Sequence, residues 1–236
     1  MRQNGESPTN ILSSSRFSLK EIAPKTDNQE KVFDYFDDGK QLLLHGTAGT
    51  GKTFLSLYLA LDVVLNPAGP EDPNKIYIVR SVVPTRDMGY LPGNAREKTK
   101  VYEAPYASIC NELFGRGDAY DILKTKNMVE FMSTSFIRGT TFNNAFIIVD
   151  ECNNCSGHEL DSLITRIGNN CRIIFSGDMK QSDLTKEQER AGLKDFIRVI
   201  NNMPDFAHVE FTPEDIVRSR LVKQYITARE KLGIHL

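Results

Sequence analysis

The stretch Gln41-Leu-Leu-Leu-His-Gly-Thr-Ala-Gly-Thr-Gly-Lys-Thr-Phe54 decides the fold, because an apolar run breaks there into glycines and ends in Gly-Lys-Thr. Gly46 to Thr53 matches the phosphate-binding loop (P-loop) pattern G-x-x-x-x-G-K-[ST] at every fixed position. Leu42 to Leu44 predict a buried strand before the loop, and Leu55 and Leu59 have the spacing of a helix after it. The sequence therefore predicts a strand–loop–helix unit that binds the phosphates of a nucleotide.

Each residue type in this loop has a separate chemical reason. Glycines allow the unusual backbone angles that turn consecutive N–H groups towards a phosphate. The following helix begins with unsatisfied N–H groups that favour negative charge. Lys52 would add a positive charge at the β- and γ-phosphates, and the Thr53 hydroxyl would bind Mg²⁺. The residues predicted to hold the nucleotide here are Gly46, Thr47, Ala48, Gly49, Thr50, Gly51, Lys52 and Thr53.

Two later strands are also predicted to end in polar residues. Phe146-Ile-Ile-Val-Asp150-Glu151 places two acids after four apolar residues, and a buried carboxylate is costly unless it meets positive charge. Asp150 is therefore expected to hold Mg²⁺ beside Thr53, and Glu151 is expected to orient and deprotonate the attacking water. The strand from Arg172 leads to Gln181, the expected sensor of the γ-phosphate.

Two loops carry residues that could contact single-stranded nucleic acid. Arg80, Arg86 and Tyr90 follow a predicted strand at the edge where open α/β sheets bind ligands, and Arg138 lies in a second loop. Arginine and tyrosine there could contact phosphates and stack on bases, although an ordinary surface loop has the same composition. Gln29 could pair with the edge of adenine, or could be a solvated residue of its helix.

Composition limits the possible classes of function. The 236 residues carry a formal net charge of −2, so any nucleic-acid site must be local. No apolar run approaches the length needed to span a bilayer, and the four cysteines are too few for a disulfide scaffold. Cys152, Cys155, His158 and Cys171 have spacings found among zinc ligands, but buried or capping thiols are the favoured interpretation. We expect a cytoplasmic protein with reduced thiols and no membrane partner.

The predicted domain organisation is simple. Residues 1–17 are rich in Ser, Asn and Thr and are expected to form a flexible tail, and residues 18–236 are expected to form one P-loop ATPase domain. Helices are predicted over 94–114, 157–167, 193–200 and 219–232, with Pro105 kinking or dividing the first of them.

The whole set of motifs resembles the PhoH-like family of P-loop ATPases, whose core is similar to the first motor domain of superfamily 1 helicases. The resemblance extends from about residue 22 to about residue 230. It rests on Pro24-Lys-Thr, Gln29, Gly46 to Thr53, Arg80, Gly89-Tyr-Leu-Pro-Gly, Lys98, Arg138-Gly-Thr-Thr, Asp150-Glu151, Leu163-Ile-Thr-Arg-Ile-Gly, Gly177-Asp-Met-Lys-Gln, Ala191-Gly-Leu and Asp215-Ile-Val-Arg. The family's acidic motif is usually Asp-Glu-Ala-Gln-Asn, whereas this chain has Asp-Glu-Cys-Asn-Asn. The shorter side chain of Asn153 is expected to affect the coupling between hydrolysis and strand movement. The length looks like that of phage-encoded members, which implies a host cytoplasm.

The resemblance implies a three-layer α/β/α fold of the RecA-like P-loop NTPase class with a mostly parallel central sheet. It places the strand at 172–176 between the P-loop strand and the Asp150 strand. It also implies Mg²⁺-dependent ATP hydrolysis with single-stranded nucleic acid, RNA before DNA, as the partner, and makes Gln29 an adenine contact. Two other classes compete: a nucleotide-gated binding switch without motor activity, and a small-molecule kinase.

One part of such a helicase site is not expected within this chain. Helicases of the resembled superfamily bind ATP between two motor domains, and this chain has length for one. We therefore expect a homo-oligomer, a hexameric ring being the first expectation, in which a neighbouring copy supplies an arginine to the γ-phosphate. Arg218 is the first candidate and Arg220 the alternative. The competing interpretation is that both only pair with nearby acids such as Glu214 and Asp215.

Overall fold

The computed structural model describes residues 17–82, 95–179, 181–184 and 186–234, with the backbone alone at 95–99. Its described residues contain one six-stranded sheet in the order β3-β2-β4-β5-β1-β6. Every pairing between neighbouring strands is parallel. The strands are β1 (Gln41–Gly46), β2 (Lys75–Arg80), β3 (Val129–Ser133), β4 (Ala145–Asp150), β5 (Arg172–Gly177) and β6 (Phe206–Phe211). The predicted position of β5 between the P-loop strand and the Asp150 strand is therefore confirmed.

Helices cover both faces of this sheet and complete the three predicted layers. They are α1 (Asp27–Asp37), α2 (Lys52–Leu65), α3 (Ala95–Phe114), α4 (Ala119–Thr125), α5 (Gly157–Ile164), α6 (Glu187–Ile200) and α7 (Arg220–Lys231). Alternate strand residues point to opposite faces. Leu42 and Leu44 accordingly belong to the core that includes α1 to α4, whereas Leu43 belongs to the core that includes α5 and α6. The central strand β4 is buried along its whole length and is apolar up to Asp150, whereas the edge strand β6 has an exposed residue, Glu210.

The strand order brings the functional motifs to one edge of the sheet. β4, β5 and β1 are successive neighbours, and all of them run in the same direction. Their carboxyl ends therefore meet, and these ends carry Asp150, Gly177 and Gly46. This is the edge at which open α/β sheets bind ligands.

Several element boundaries differ from those predicted from the sequence. The helix predicted over 193–200 begins at Glu187, because a polar first turn with acidic residues is favourable at a helix N-terminus and does not show as apolar periodicity. The helix predicted over 157–167 ends at Ile164. Pro105 does not divide its helix, which the structure describes as one segment from Ala95 to Phe114.

Phe17 was expected in the flexible tail, and the structure places it in the core. Its side chain is buried and its ring stacks on that of Phe114, with the ring centroids 4.4 Å apart. Burial of an aromatic ring against another is stabilising, and the guanidinium of Arg116 lies over the same ring. The predicted tail therefore has to end before Phe17, and residues 1–16 lie outside the described residues.

No helix in the described part of the chain is long and apolar enough to cross a lipid bilayer.

Candidate nucleotide-hydrolysis site

The P-loop curls back on the end of the sheet, and its glycines are required there. Gly46, Gly49 and Gly51 all have positive φ angles, of 109°, 77° and 92°. A side chain at Gly46 would also meet backbone, because a Cβ atom there would lie 2.1 Å from the carbonyl oxygen of Phe211. That carbonyl accepts a hydrogen bond from the Thr47 N–H at 2.9 Å. The end of β6 therefore fixes the start of the loop.

Lys52 lies folded over the loop that it follows. Its Nζ donates hydrogen bonds to the carbonyl oxygens of Gly46 at 2.8 Å and Thr47 at 2.7 Å. Burial lowers the pKa of Lys52 from its usual value, and the nearby carboxylates of Asp178 and Asp150 act in the opposite direction. The ammonium group is thus held at the centre of the loop. A bound phosphate could replace the two carbonyl oxygens as its hydrogen-bond acceptor.

Asp150 is surrounded by hydroxyl groups at the end of β4. Its Oδ1 accepts hydrogen bonds from Thr53 Oγ1 at 2.9 Å and Ser176 Oγ at 2.6 Å, and its Oδ2 accepts one from the Tyr106 hydroxyl at 2.9 Å. Thr53 and Asp150, predicted from separate motifs, are therefore in direct contact. Their hydroxyl and carboxylate oxygens are hard ligands of the kind that Mg²⁺ takes from proteins beside substrate phosphates and water.

Among the described residues, no group of three or more His, Cys, Asp or Glu side chains could hold a metal ion. Mg²⁺ does not need such a group, because it usually keeps several waters and takes one or two protein ligands. Cys152 and Cys155 are buried in the core, and burial raises the pKa of the Cys155 thiol to about 12.

Tyr106 and Ser176 belong to the site, and neither was predicted from the sequence. Tyr106 comes from α3, where it is almost fully buried, and burial raises the pKa of its hydroxyl well above the usual value, with the Asp150 carboxylate adding to the effect. The hydroxyl therefore remains a hydrogen-bond donor. No motif marks this residue, since a tyrosine on an apolar helix face looks like an ordinary core residue.

Removing the Tyr106 hydroxyl should destabilise the protein measurably. In Tyr106→Phe the Asp150 carboxylate loses a buried donor, and hydrogen bonds to charged groups are worth about 1.5–3 kcal/mol. We expect a decrease of that size in the free energy of unfolding, measured by denaturant titration. Tyr35→Phe, at a tyrosine 36% exposed, is the control and should change little. Equal stabilities of Tyr106→Phe and the wild type would contradict this role.

Glu151 has an unusual backbone and a charged partner. Its φ of 48° lies in the left-handed region, which non-glycine residues seldom adopt and which is often found at functional sites. Its Oε2 pairs with Arg80 Nη2 at 2.6 Å and accepts a hydrogen bond from Asn154 Nδ2 at 3.3 Å. Burial raises the pKa of the Glu151 carboxyl above its usual value, while Arg80 lowers it and Asp150 raises it. The predicted base thus lies beside Asp150 in a partly desolvated position, paired with an arginine.

Asn153 joins the loop after β4 to the loop after β5. Its Oδ1 accepts a hydrogen bond from the Asp178 N–H at 3.0 Å, and its Nδ2 donates to the carbonyl oxygen of Gln181. Ser182 Oγ donates to the Asn153 carbonyl at 2.7 Å. The shorter side chain at this position therefore still links the acidic motif to the loop of the expected γ-phosphate sensor.

Gln29 is buried beside the loop, so its interpretation as a solvated residue is wrong. Its Nε2 donates a hydrogen bond to the carbonyl oxygen of Thr50 at 2.9 Å, and its Oε1 accepts one from the Lys25 N–H at 2.9 Å. Thr26 caps the helix that carries it. The amide is thus held against the P-loop at Thr50, and the contact with adenine stays a prediction.

The segment leading into α7 also packs against the P-loop. The Val217 N–H donates to the carbonyl oxygen of Gly49 at 3.1 Å, and Arg218 Cγ would lie 3.1 Å from a Cβ at Gly49. Thr47 Oγ1 donates to Glu230 Oε1 at 2.9 Å. Arg218 therefore lies beside the P-loop of its own chain with an exposed side chain, and Arg220 is exposed at the start of α7.

The loops predicted to contact nucleic acid are partly described. Arg80 lies at the end of β2, and Arg138 is exposed after β3. Glu159 ties these two strand ends to α5, since it accepts hydrogen bonds from Ser81 Oγ at 3.5 Å and Thr134 Oγ1 at 2.5 Å. Arg86 and Tyr90 lie outside the described residues.

Comparison with known proteins agrees with these motifs. A family model described as PhoH-like protein matches residues 21–230. The PhoH-like protein of Mycobacterium leprae (strain TN) is 30% identical over 238 residues, which cover 98% of this chain and 65% of that protein. Protein PhoH of Escherichia coli (strain K12) is 31% identical over 194 residues, which cover 81% of this chain and 53% of that protein. Both relatives are bacterial, so a phage origin stays a prediction.

Solved structures show a more distant similarity. The UvsW helicase from bacteriophage T4 has a TM-score of 0.46 and 17% identity, with 86% of this chain and 65% of that chain covered. The HK97 bacteriophage large terminase has a TM-score of 0.49 and 14% identity, with 90% and 47% covered. Similarity at this level carries no information about activity.

Proposed function

The chain belongs to the PhoH-like family, and from that premise we propose that it hydrolyses ATP with Mg²⁺ and couples hydrolysis to single-stranded nucleic acid. The chain spans only 53–65% of the length of the two relatives described above, so their whole-length activities are themselves part of the proposal. The observation that carries it is the meeting of Lys52, Thr53, Asp150 and Glu151 at one edge of the sheet.

The residues divide the chemistry among themselves. Lys52 and the loop N–H groups stabilise negative charge on the β- and γ-phosphates, and Thr53 and Asp150 would hold Mg²⁺, which neutralises charge on the same oxygens when it is bound. Glu151 takes a proton from water as the water oxygen bonds to the γ-phosphorus and the bond to the ADP oxygen breaks. Its raised pKa makes it a better proton acceptor than an exposed glutamate.

Two glutamines are assigned to recognition. Gln181 is the proposed sensor of the γ-phosphate, because its backbone is tied through Asn153 to the acidic motif. Gln29 is the proposed adenine contact, because it lies against the P-loop at Thr50. The location in a cytoplasm, expected from the sequence, stays a prediction.

Hydrolysis is favoured over phosphate transfer to a small molecule for a physical reason. A kinase excludes water from its site, whereas the side chain of Glu151 is 43% exposed and is therefore accessible to water. The direct test is release of phosphate from ATP by the purified protein with and without Mg²⁺. We expect turnover that requires Mg²⁺, and transfer to an acceptor without phosphate release would contradict the proposal.

We propose that Arg138, together with Arg86, contacts the backbone of single-stranded RNA or DNA. Arg138→Ala should weaken binding of a fluorescent oligonucleotide and make it less dependent on salt, since removing one phosphate contact reduces the slope of log affinity against log salt by about 0.7. ATP turnover without nucleic acid should remain close to that of the wild type. Arg198→Ala, at an exposed arginine on α6, is the control. Unchanged binding and salt slope in Arg138→Ala would place the contact elsewhere.

We also propose that the protein works as a ring of identical subunits, a hexamer being the first candidate. A site of this type needs an arginine at the γ-phosphate, and head-to-tail contacts between copies close into rings when the rotation permits. Arg218 and Arg220 are the candidates, and both are exposed. Arg218 also lies beside its own P-loop, so a role within its own chain competes with a role in the neighbouring one.

A further inference from the structure

Arg80, at the end of β2, contacts Glu151, which follows β4. β2 and β4 are paired in register so that Arg80 lies opposite Asp150, one residue before Glu151. This register brings Arg80 Nη2 within 2.6 Å of Glu151 Oε2. Tyr106, whose hydroxyl donates to Asp150, also interacts with Arg80 electrostatically. One guanidinium therefore contacts the proposed base directly and interacts with the tyrosine that donates to the proposed Mg²⁺ ligand.

The pair is placed where it can exchange partners. The Arg80 side chain is 20% exposed and that of Glu151 is 43% exposed, so the contact is open to solvent on one side. It lies at the carboxyl edge of the sheet, where the chain leaves β2. The sequence that follows contains Arg86 and Tyr90, residue types that can contact phosphates and bases. A phosphate diester arriving at this edge would compete with Glu151 for the same guanidinium, since arginine binds phosphate and carboxylate in similar geometries.

The pairing restrains Glu151 as a base. One carboxylate oxygen is engaged by Arg80 and is not available to water. This oxygen is expected to become available when Arg80 moves to another anion.

We propose that Arg80 is the positioning residue through which single-stranded nucleic acid controls Glu151. Without nucleic acid, Arg80 holds the carboxylate, and a backbone phosphate draws Arg80 away and leaves Glu151 to activate water. The inference rests on the proposed function, because it requires ATP hydrolysis and nucleic-acid binding at this edge. It adds the residue that connects them.

The first test uses binding alone. Because coupling between two sites is reciprocal, removal of the Glu151 charge should make Arg80 available to phosphate. We expect Glu151→Gln to bind fluorescein-labelled oligo(U) or oligo(dT) several-fold more tightly than the wild type, with a salt slope steeper by about 0.7 for the one additional phosphate contact. The double variant Arg80→Gln/Glu151→Gln should lose this gain. Glu130→Gln, which removes the same charge from the Lys75–Glu130 pair, controls for net charge.

The second test uses ATP turnover. Arg80→Gln should raise the rate without nucleic acid towards the stimulated rate and flatten the response to oligo(U). Arg80→Lys retains a positive charge and should keep much of the stimulation. A residue that only supports the fold would not produce this combination.

The outcomes separate the inference from the proposed function. A wild-type protein without ATP turnover, or without oligonucleotide binding, would contradict the proposed function and the inference with it. The inference alone fails if the wild type is stimulated by oligo(U) but Glu151→Gln binds no more tightly than Glu130→Gln. It also fails if Arg80→Gln keeps full stimulation, or if its turnover without nucleic acid falls as it would after loss of the base.

Discussion

Glu151→Gln is expected to lower the maximal rate of ATP hydrolysis by about 10²–10⁴-fold, the usual contribution of a positioned general base, while ATP affinity stays close to that of the wild type. Glutamine has nearly the same shape, so the packing of the loop is preserved, but it loses the charge that pairs with Arg80 and cannot accept the proton from water. The measurement pairs single-turnover hydrolysis with equilibrium binding of a fluorescent ATP analogue. Hydrolysis at the wild-type rate in Glu151→Gln would end the assignment of this residue as the base.

Lys52→Ala is expected to lose nucleotide binding, whereas Glu151→Gln is expected to lose hydrolysis alone. Lys52 occupies the centre of the loop and bonds to the carbonyl oxygens of Gly46 and Thr47, so its loss should remove nucleotide binding as well as turnover. The two variants together separate binding from chemistry. Tight nucleotide binding by Lys52→Ala would show that the loop does not hold the phosphates as proposed.

An arginine at the γ-phosphate stabilises the charge that develops on the transferring phosphoryl group. Its loss should therefore lower the rate of ATP hydrolysis by about 10³–10⁵-fold. We expect Arg218→Ala or Arg220→Ala to show this loss with little change in nucleotide affinity. The inactive variants can then be mixed with Glu151→Gln subunits. If the arginine acts on a neighbouring copy, some junctions regain both groups and activity returns.

The same mixture distinguishes a role within one chain. If Arg218 acts on the P-loop beside which it lies, no subunit in the mixture has both an intact base and an intact arginine, and activity stays absent. Absence of rescue with both arginine variants, or full activity of monomeric protein in analytical ultracentrifugation, would contradict the ring. Rescue with Arg220→Ala alone would assign the arginine to the exposed face of α7.

The local structure of the candidate site follows from nearby sequence, whereas the roles of its residues stay predictions. The glycines and Lys52 specify the backbone angles of the P-loop and the helix N-terminus within one short segment. Asp150 was found because an acid after four apolar residues is costly without a positive partner. The strand order was also correct, although it came from the family resemblance and not from any periodicity in the chain.

The parts that depend on contacts between distant segments were not predicted. Tyr106 and Ser176 reach Asp150 from α3 and β5, and nothing near either residue in the sequence distinguishes it from a core tyrosine or a strand serine. The pairing of Arg80 with Glu151 depends on the register of β2 against β4, which hydrophobic runs buried on both faces do not specify. Phe17 was missed because the polar residues before it outweigh one aromatic ring that packs across the fold.

The most direct test of the central claim is steady-state ATP turnover with and without single-stranded RNA or DNA over a range of salt concentrations. We expect turnover that requires Mg²⁺ and that RNA or DNA increases at low salt. This increase should decline steeply at higher salt, because salt weakens the contacts with phosphates. Turnover that neither RNA nor DNA changes at any salt concentration would contradict the central claim. Tight binding of both ATP and nucleic acid without any hydrolysis would also contradict it, and would instead identify the chain as a nucleotide-gated binding switch.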